Sequence, residues 1–288
     1  MHEFDIIQNY FSKLSKSKGA LALNDDIFFD RSKNLAVSID TYVQGVHFID
    51  FKNPDLVIKK IIRSSISDLI CKGVKPRYFF VSGSGNKKSF SSSNLEKISK
   101  SLKQEQNKYN IFLCGGDTVF SNKLSFTITS IGFSKKIVYR NKAKLNDDIY
   151  VTGNLGDSFV GLKVLKKKIR LNRSLEKYFI NKYYQPDLHL KLTKKLFSFA
   201  NTSIDISDGL ITDMIKLINQ QKLSYKIYMN NIPVSKNLGK LIIFKKLKKK
   251  FCVSQGDDYQ VLFTASPSKF RIINKTAKSL GVKISDSR

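Results

Sequence analysis

The sequence predicts an α/β protein of the α+β type that is built from two domains. Its 288 residues exceed the usual length of one domain, which is about 150 residues. Short alternating apolar segments, typical of strands, are interspersed with longer segments whose apolar residues recur at helical spacing. A basic polar stretch near Asn141 separates two such series. We therefore place the domains at residues 1–140 and 141–288.

The first domain is predicted to mix strands and helices. An amphipathic helix is expected over residues 3–16, and Leu35–Ile39 alternates as a strand that passes into a loop at Asp40. Apolar residues at helical spacing predict a helix over residues 55–72, which ends before Gly73 and Pro76. The remaining predicted elements are strands at 77–81, 111–114 and 124–131, a Gly/Ser-rich loop at 82–93 and a helix at 92–108. A strand at 148–152 opens the second domain, which continues as strands and helices.

The net charge is unusual for a globular protein. The chain has 51 basic and 23 acidic residues, which gives +28 at pH 7. Such a surplus attracts polyanions, so a basic nucleic-acid-binding protein is one hypothesis. The lysines are scattered along the whole chain, however, and this favours a general bias in composition.

Other features indicate a cytoplasmic protein. No apolar run approaches the roughly 18 residues of a membrane-spanning helix, and the first residues carry acids and no long apolar region, so they do not resemble a secretory signal. Cys71, Cys114 and Cys252 lie far apart without a CxxC pair. This argues against a disulfide framework or a structural zinc site.

Acidic residues gather beside Gly, Ser, Thr or Asn at six places. Carboxylates and hydroxyls suit Mg²⁺, which is usually held by a few carboxylates together with waters and substrate phosphates. A single such place is more simply a turn or a helix cap. Together, the six favour a metal-phosphate site. They are Asn24-Asp25-Asp26, Ser38-Ile39-Asp40-Thr41, Ser67-Asp68, Gly115-Gly116-Asp117-Thr118, Asp205-Ile206-Ser207-Asp208-Gly209 and Gly256-Asp257-Asp258-Tyr259.

Two local features leave alternatives open. Gly115 and Gly116, directly before Asp117, could let backbone amides approach a phosphate or could form a tight turn. His47 follows Asp40 in a Gly-containing segment, where it could bind a substrate or lie on the surface. The chain has no GxxxxGK[ST] loop, so the common nucleotide-binding folds are disfavoured.

The order of these motifs resembles the thiamine-monophosphate kinase family. The first half carries SIDTYVQGVHF at 38–48, SDLICKGVKPR at 67–77 and CGGDT at 114–118. The second half carries YVTGNLGDS at 150–158, SIDISDGL at 203–210 and QGDDYQVLF at 255–263. The similarity covers nearly the whole chain.

The resemblance implies a kinase that uses ATP and Mg²⁺ to convert thiamine monophosphate into thiamine diphosphate. It also implies a homodimer in which two N-terminal domains form a barrel-like sheet, while a C-terminal α/β domain packs alongside. ATP would lie between the two domains near the dimer interface. Two alternatives remain: an ATP-using enzyme of the same superfamily with another phosphate acceptor, and the nucleic-acid-binding protein.

The resemblance also assigns roles to individual residues. Asp40, Asp117 and Asp208 match catalytic positions. The nucleotide contacts are matched by Gly116, Asp117, Arg140 and Ser207, and the substrate contacts by His47 and Asp257. The implied metal ligands are Asp26, Ser38, Ile39 through its carbonyl group, Asp40, Asp68, Asp117, Asp205 and Asp208.

Departures from the family pattern concern substrate recognition. Ile39 stands where the family usually has Thr, and Asp257 stands where it usually has Glu, so the substrate would meet a shorter side chain. Relatives also continue beyond the position of Arg288 and supply an aromatic residue that stacks on thiamine. The resemblance therefore implies the chemistry more strongly than it implies recognition of the thiamine rings.

Overall fold

The structure, a computed structural model, describes residues 3–245 and 247–286 and contains a five-stranded and a four-stranded sheet. The chain begins with a short helix α1 (Glu3–Ile6), one π-helical turn (Ile7–Phe11) and a 3₁₀ turn (Ser12–Leu14). The helix predicted over residues 3–16 is thus present but irregular. A further 3₁₀ segment spans Lys18–Leu23.

The five-stranded sheet is mixed, with strand order β1-β2-β5-β3-β4. Strands β3 and β4 are parallel and are connected through helix α3, while the other pairs are antiparallel. The elements are β1 (Phe28–Asp30), β2 (Leu35–Val43), α2 (Pro54–Cys71), β3 (Lys75–Gly85), α3 (Ser92–Tyr109), β4 (Phe112–Phe120) and β5 (Ser125–Phe133).

The four-stranded sheet is antiparallel, with strand order β7-β8-β6-β9. The mixed α/β fold expected from the sequence is confirmed, and β6 has the predicted bounds. The elements are β6 (Asp148–Thr152), α4 (Asp157–Leu165), α5 (Arg173–Tyr184), α6 (Thr193–Leu196), β7 (Thr202–Asp205), α7 (Leu210–Leu217), α8 (Lys236–Phe244), α9 (Lys249–Val253), β8 (Val261–Ala265), α10 (Phe270–Leu280) and β9 (Ile284–Asp286), with 3₁₀ turns at Leu190–Leu192, Met229–Asn231 and Pro267–Lys269.

A segment predicted as a loop, and another for which a tight turn was one of two alternatives, are extended strands instead. Ser82–Gly85, the start of the Gly/Ser-rich loop, belongs to β3, and Gly115–Asp117 belongs to β4. The reason is tertiary, because β3 pairs with β4 on one side and β5 on the other. Asp40 likewise lies within β2 and not at its end, since pairing with β5 extends to Val43. Local composition alone suggested turns at these positions.

Helix α2 is the central buried element. Proline occupies its first turn, where no intrahelical N–H bond is lost, and Asp55 lies in the same turn. Its apolar residues join the core with β3, α3 and β5. The helix also contacts β7 and β8 of the other sheet, and thereby connects the two sheets.

No helix in residues 3–245 and 247–286 is long and apolar enough to cross a membrane.

Candidate active site

A cleft of about 680 Å³ lies where β2, α2, the segment after β7 and the segment before β8 meet. These elements bring together acidic residues that are far apart in the sequence. Among the residues predicted from sequence, those that line it are Asp26, Ile39, Asp40, His47, Asp68, Arg140, Asp205, Ser207, Asp208 and Asp257.

Three residues of the predicted site lie outside this lining. The Ser38 hydroxyl is buried and donates a hydrogen bond to the Ser65 carbonyl oxygen at 3.2 Å. Gly116 and Asp117 lie on β4, which is separated from β2 by β5 and β3. A Cβ atom at Gly116 would lie 1.8 Å from the Val81 carbonyl oxygen, so close strand pairing alone requires glycine there.

Three carboxylates form the acidic centre of the cleft. Burial, followed by the nearby charges of Asp40 and Asp205, raises the pKa of Asp68 well above its usual value. Burial and the charge of Asp213 raise the pKa of Asp205 to about 7, although the Ser67 hydroxyl donates to the Asp205 carboxylate at 2.8 Å. Mutual repulsion and desolvation thus destabilise the ionised forms of Asp68 and Asp205.

Such an environment fits a hydrated divalent cation. Within the described part of the chain, no three His, Cys, Asp or Glu side chains converge as a preformed metal site. Magnesium commonly binds through one or two carboxylates and completes its coordination with water and substrate phosphates. Asp40, Asp68 and Asp205 therefore have the donor chemistry for Mg²⁺ that arrives with a phosphate ligand.

Two further acidic residues line the cleft, Asp25 and Asp26, and they are already neutralised by protein cations. Lys72 Nζ lies 2.8 Å from Asp25 Oδ1 and 2.7 Å from Asp26 Oδ2. Arg140 donates through Nε to Asp26 Oδ2 at 3.2 Å and through Nη2 to Asp26 Oδ1. The predicted metal ligand Asp26 and the predicted nucleotide contact Arg140 therefore bind each other.

The segment after β7 is organised by Asp213, which is buried. Its Oδ2 atom accepts hydrogen bonds from the backbone N–H groups of Asp208 and Gly209, at 2.9 and 3.0 Å. The exposed Asp208 carboxylate forms an ion pair with Lys216. This arrangement fixes the turn that carries Ser207 and Asp208 into the cleft.

The segment before β8 is held against the same turn. The backbone N–H groups of Asp257 and Tyr259 donate to the carbonyl oxygens of Ser207 and Ile206, at 2.9 and 2.8 Å. A Cβ atom at Gly256 would lie 2.0 Å from the Ser207 carbonyl oxygen, so this approach requires glycine. The two segments consequently form one side of the cleft.

The predicted substrate residues, His47 and Asp257, both line the cleft and are both held by hydrogen bonds. His47 Nδ1 accepts a hydrogen bond from the Val43 N–H group at 2.9 Å, so the neutral ring carries its proton on Nε2. Asp257 Oδ1 accepts hydrogen bonds from Lys60 Nζ at 2.6 Å and from the Tyr259 hydroxyl at 3.1 Å. Both side chains thus have fixed orientations before any ligand binds.

Sequence reasoning missed the buried cations and several of their partners. One polar stripe runs along α2 to its C-cap, because four polar residues recur at intervals of four: Lys60, Ser64, Asp68 and Lys72. This spacing was the available signal for Lys60 and Lys72. Asp25 belongs to the Asn24-Asp25-Asp26 motif but had no assigned role, and Asp213 and Lys216 gave no comparable pattern.

Comparisons with known proteins agree with this geometry. Residues 21–134 match the family model "AIR synthase related protein, N-terminal domain". The chain is 34% identical to the thiamine-monophosphate kinase of Buchnera aphidicola subsp. Schizaphis graminum over 98% of this chain and 88% of that protein. The chain belongs to the thiamine-monophosphate kinase family. Its similarity to the Haemophilus influenzae member is 31% identity over 98% of this chain and 87% of the relative.

Solved structures in this family share the fold. The thiamine-monophosphate kinase from Aquifex aeolicus superimposes with a TM-score of 0.85 at 26% identity, over 99% of this chain and 92% of the other. A structure described as "AaThiL complexed with AMPPCP and TMP" gives a TM-score of 0.87 at 24% identity, over 100% of this chain and 91% of the other. The family resemblance noted in the motifs is therefore confirmed.

Proposed function

We infer that this chain transfers the terminal phosphoryl group of ATP to thiamine monophosphate, which yields thiamine diphosphate and ADP. Family membership supports the activity, as does the related structure complexed with AMPPCP, an ATP analogue, and TMP. The observation that carries the inference is the cleft in which Asp40, Asp68 and Asp205 lie together. A cluster of desolvated carboxylates is suited to cation-assisted chemistry between two phosphates.

The cation is proposed to be Mg²⁺, held chiefly by Asp40, Asp68 and Asp205. When bound, Mg²⁺ would neutralise negative charge on the phosphates and orient them. Asp208 and the Ile39 carbonyl group are proposed to complete the set with water and phosphate oxygens. The raised pKa values of Asp68 and Asp205 support this role, because a nearby cation would relieve the repulsion that causes them.

The remaining side chains would bind and orient the reactants. The acceptor is a phosphate oxygen that is already ionised at pH 7, so the reaction requires no strong general base. We propose that His47 donates from Nε2 to the substrate, and that Asp257, oriented by Lys60, contacts the same molecule. Ser207 and Arg140 are proposed nucleotide contacts.

A homodimer is proposed to complete the site. Every residue of β4 is exposed, including the apolar Phe112, Leu113, Val119 and Phe120. Such a face on an edge strand favours pairing with another copy of the chain. Pairing of β4 faces into a barrel-like sheet would place Gly116 and Asp117 near the interface. We propose that these residues contact nucleotide and metal in the assembled dimer.

The domain boundaries and the location of the protein belong to the same proposal. The N-terminal nucleotide and dimerisation domain would span residues 1–140, and the C-terminal domain would span 141–288. A cytoplasmic location is consistent with three cysteines that are all free thiols.

The activity is tested by incubating the purified protein with ATP, Mg²⁺ and thiamine monophosphate. We expect ADP and thiamine diphosphate in equal amounts, measured by chromatography. A panel of other phosphorylated acceptors separates this activity from that of another superfamily enzyme. If ADP is released with a different acceptor only, the proposed substrate is wrong.

A further inference from the structure

Lys72 is a fully buried lysine whose ammonium group contacts three oxygen atoms. Its side chain is 0% exposed, and the side chains of its partners Asp25 and Asp26 are 4% and 7% exposed. Besides these two carboxylates, Nζ donates to the Ser203 carbonyl oxygen at 2.6 Å. An ammonium group has three N–H donors, so each finds one acceptor. The environment therefore resembles an oxygen-lined cation site that is filled by the protein itself.

The position of this ammonium group is fixed by the backbone on both sides. The Lys72 N–H group donates to the Leu69 carbonyl oxygen at 3.2 Å, which caps α2. The Lys72 carbonyl oxygen accepts from the Val138 N–H group at 3.0 Å. The side chain consequently projects from a rigid helix end towards the acidic pair, so little conformational entropy has to be lost when Nζ contacts it.

The contacts have a direct consequence for Asp26. One of its oxygens faces Lys72 and Arg140, while the other faces Arg140. A divalent ion that bound to Asp26 would have to approach two protein cations, and like charges at such distances repel strongly in a desolvated site. The Asp25–Asp26 pair thus contacts two protein cations directly, whereas the charges of Lys72 and Arg140 act on Asp68 and Asp205 through longer-range electrostatics.

We propose that the Lys72 ammonium group takes the place of a cation at the Asp25–Asp26 pair and prevents a divalent ion from binding to these two carboxylates. This proposal rests on the Mg²⁺-dependent activity proposed above. Lys72 is in this view a positioning residue, because it holds Asp26 against Arg140 and limits the number of ions in the cleft. The prediction that Asp26 ligates metal would then not apply to this chain.

The test counts ions bound to the protein without substrates. Mn²⁺ serves as the probe, and its binding is followed by electron paramagnetic resonance in the wild type and in Lys72→Met. We expect Lys72→Met to bind one more Mn²⁺ per chain than the wild type, because Asp25 would lose its ion pair and Asp26 would keep only that with Arg140. Equal ion counts with equal affinities would overturn the proposal.

Lys60→Met is a matched control. Lys60 is also buried in α2 and also binds a carboxylate, but its partner is the single carboxylate of Asp257. Its removal should leave the Mn²⁺ count unchanged. A gain of one ion in both variants would show that loss of any buried lysine creates a site, and would overturn the specific role of Lys72.

Folding provides a second measurement. Without metal, Lys72→Met should melt at a lower temperature than the wild type. Mn²⁺ should raise the melting temperature of the variant more than that of the wild type. Lys72→Gln keeps an N–H donor, so its melting temperature without metal should fall less, and Mn²⁺ should raise it in the same way. If both variants remain unfolded at saturating Mn²⁺, an ion cannot replace the ammonium group, and the proposal fails. These outcomes do not depend on turnover, so they remain separate from a failure of the kinase assay.

Discussion

Lys60 Nζ lies 2.6 Å from Asp257 Oδ1 and joins helix α2 to the segment before β8. The lysine side chain is 1% exposed, and its Nζ atom also lies 3.9 Å from the centre of the Tyr183 ring. The contact fixes the direction of a carboxylate that is itself 27% exposed to the cleft. Lys60 thereby connects the buried stripe of α2 to the proposed substrate contact.

Lys60→Met should weaken the binding of thiamine monophosphate more than it slows the chemical step. Asp257 would lose its orienting partner, and we expect KM to rise about tenfold, which corresponds to about 1.4 kcal/mol. Steady-state kinetics at saturating ATP measures this effect. Asp257→Asn should give a similar rise, and the double variant should be no worse than either single change, because both act through one contact. Fully additive losses would contradict the assigned role of Lys60.

Asp68→Asn should reduce activity while leaving the fold intact or stabilising it. The change removes a charge that Asp40 and Asp205 repel, so the melting temperature should stay equal or rise. Loss of a proposed metal ligand should lower kcat/KM at least about 100-fold. The control is Asp55→Asn, at the start of the same helix, which should keep full activity. It should lose about 0.3–1 kcal/mol of stability, because the negative charge of Asp55 interacts favourably with the positive end of the helix dipole. Full activity in Asp68→Asn would refute the metal assignment.

The metal-free protein should become less stable as the pH rises from about 4 to 7. The folded protein raises the pKa of Asp205 to about 7, above the unfolded value of about 3.9, so the folded state binds the proton more tightly in this window. The stability that Asp205 contributes is fully present below the unfolded pKa and is lost as the pH rises through the folded pKa. The loss amounts to at most about 1.4 kcal/mol per pH unit. Urea unfolding across this range in chelator measures it, and Asp205→Asn should flatten the curve. An unchanged slope in the variant would exclude Asp205 as the source.

Val119→Lys should disrupt the proposed dimer. Val119 is 52% exposed on β4, and a charge in the apolar patch would oppose burial against another copy. Light scattering coupled to size-exclusion chromatography should show a shift to half the mass, with loss of activity. Ile243→Lys on α8 replaces a residue that is 73% exposed and should change neither property. A wild-type protein that is already monomeric and active would refute the dimer.

Regular periodicity made much of the fold predictable. Helix α2, expected over residues 55–72, spans Pro54–Cys71, and strand β6 has its predicted bounds. The glycines of 82–85 suggested a loop and those of 115–116 left a turn open, since glycine is common there. Residues 82–85 are kept extended by pairing of β3 with β4 and β5, and residues 115–116 by pairing of β4 with β3. Strand pairing is a non-local effect that residue composition does not contain.

The acidic half of the site was predictable from sequence, whereas its cationic half was not. Ordered motifs identified Asp40, Asp68 and Asp205, which the fold brings into one cleft. The partners Lys60 and Asp257 are separated by 197 residues, and no local pattern links them. In a chain with 51 basic residues, moreover, a buried lysine does not stand out by composition. The roles assigned to all of these site residues stay predictions, and Ser38, Gly116 and Asp117 also lie outside the lining of the cleft.

The backbone bonds between the segment after β7 and the segment before β8 determine which parts of the protein can move during turnover. The carbonyl oxygens of Ser207 and Ile206 each accept a main-chain hydrogen bond from the segment before β8, and Gly256 allows the two backbones to approach closely. We therefore expect the two segments to move as one rigid unit. The proposed nucleotide contact Ser207 and the proposed substrate contact Asp257 would therefore keep a constant spacing during turnover. Any opening or closing of the cleft would then involve the other segments that line it, and not this bonded pair.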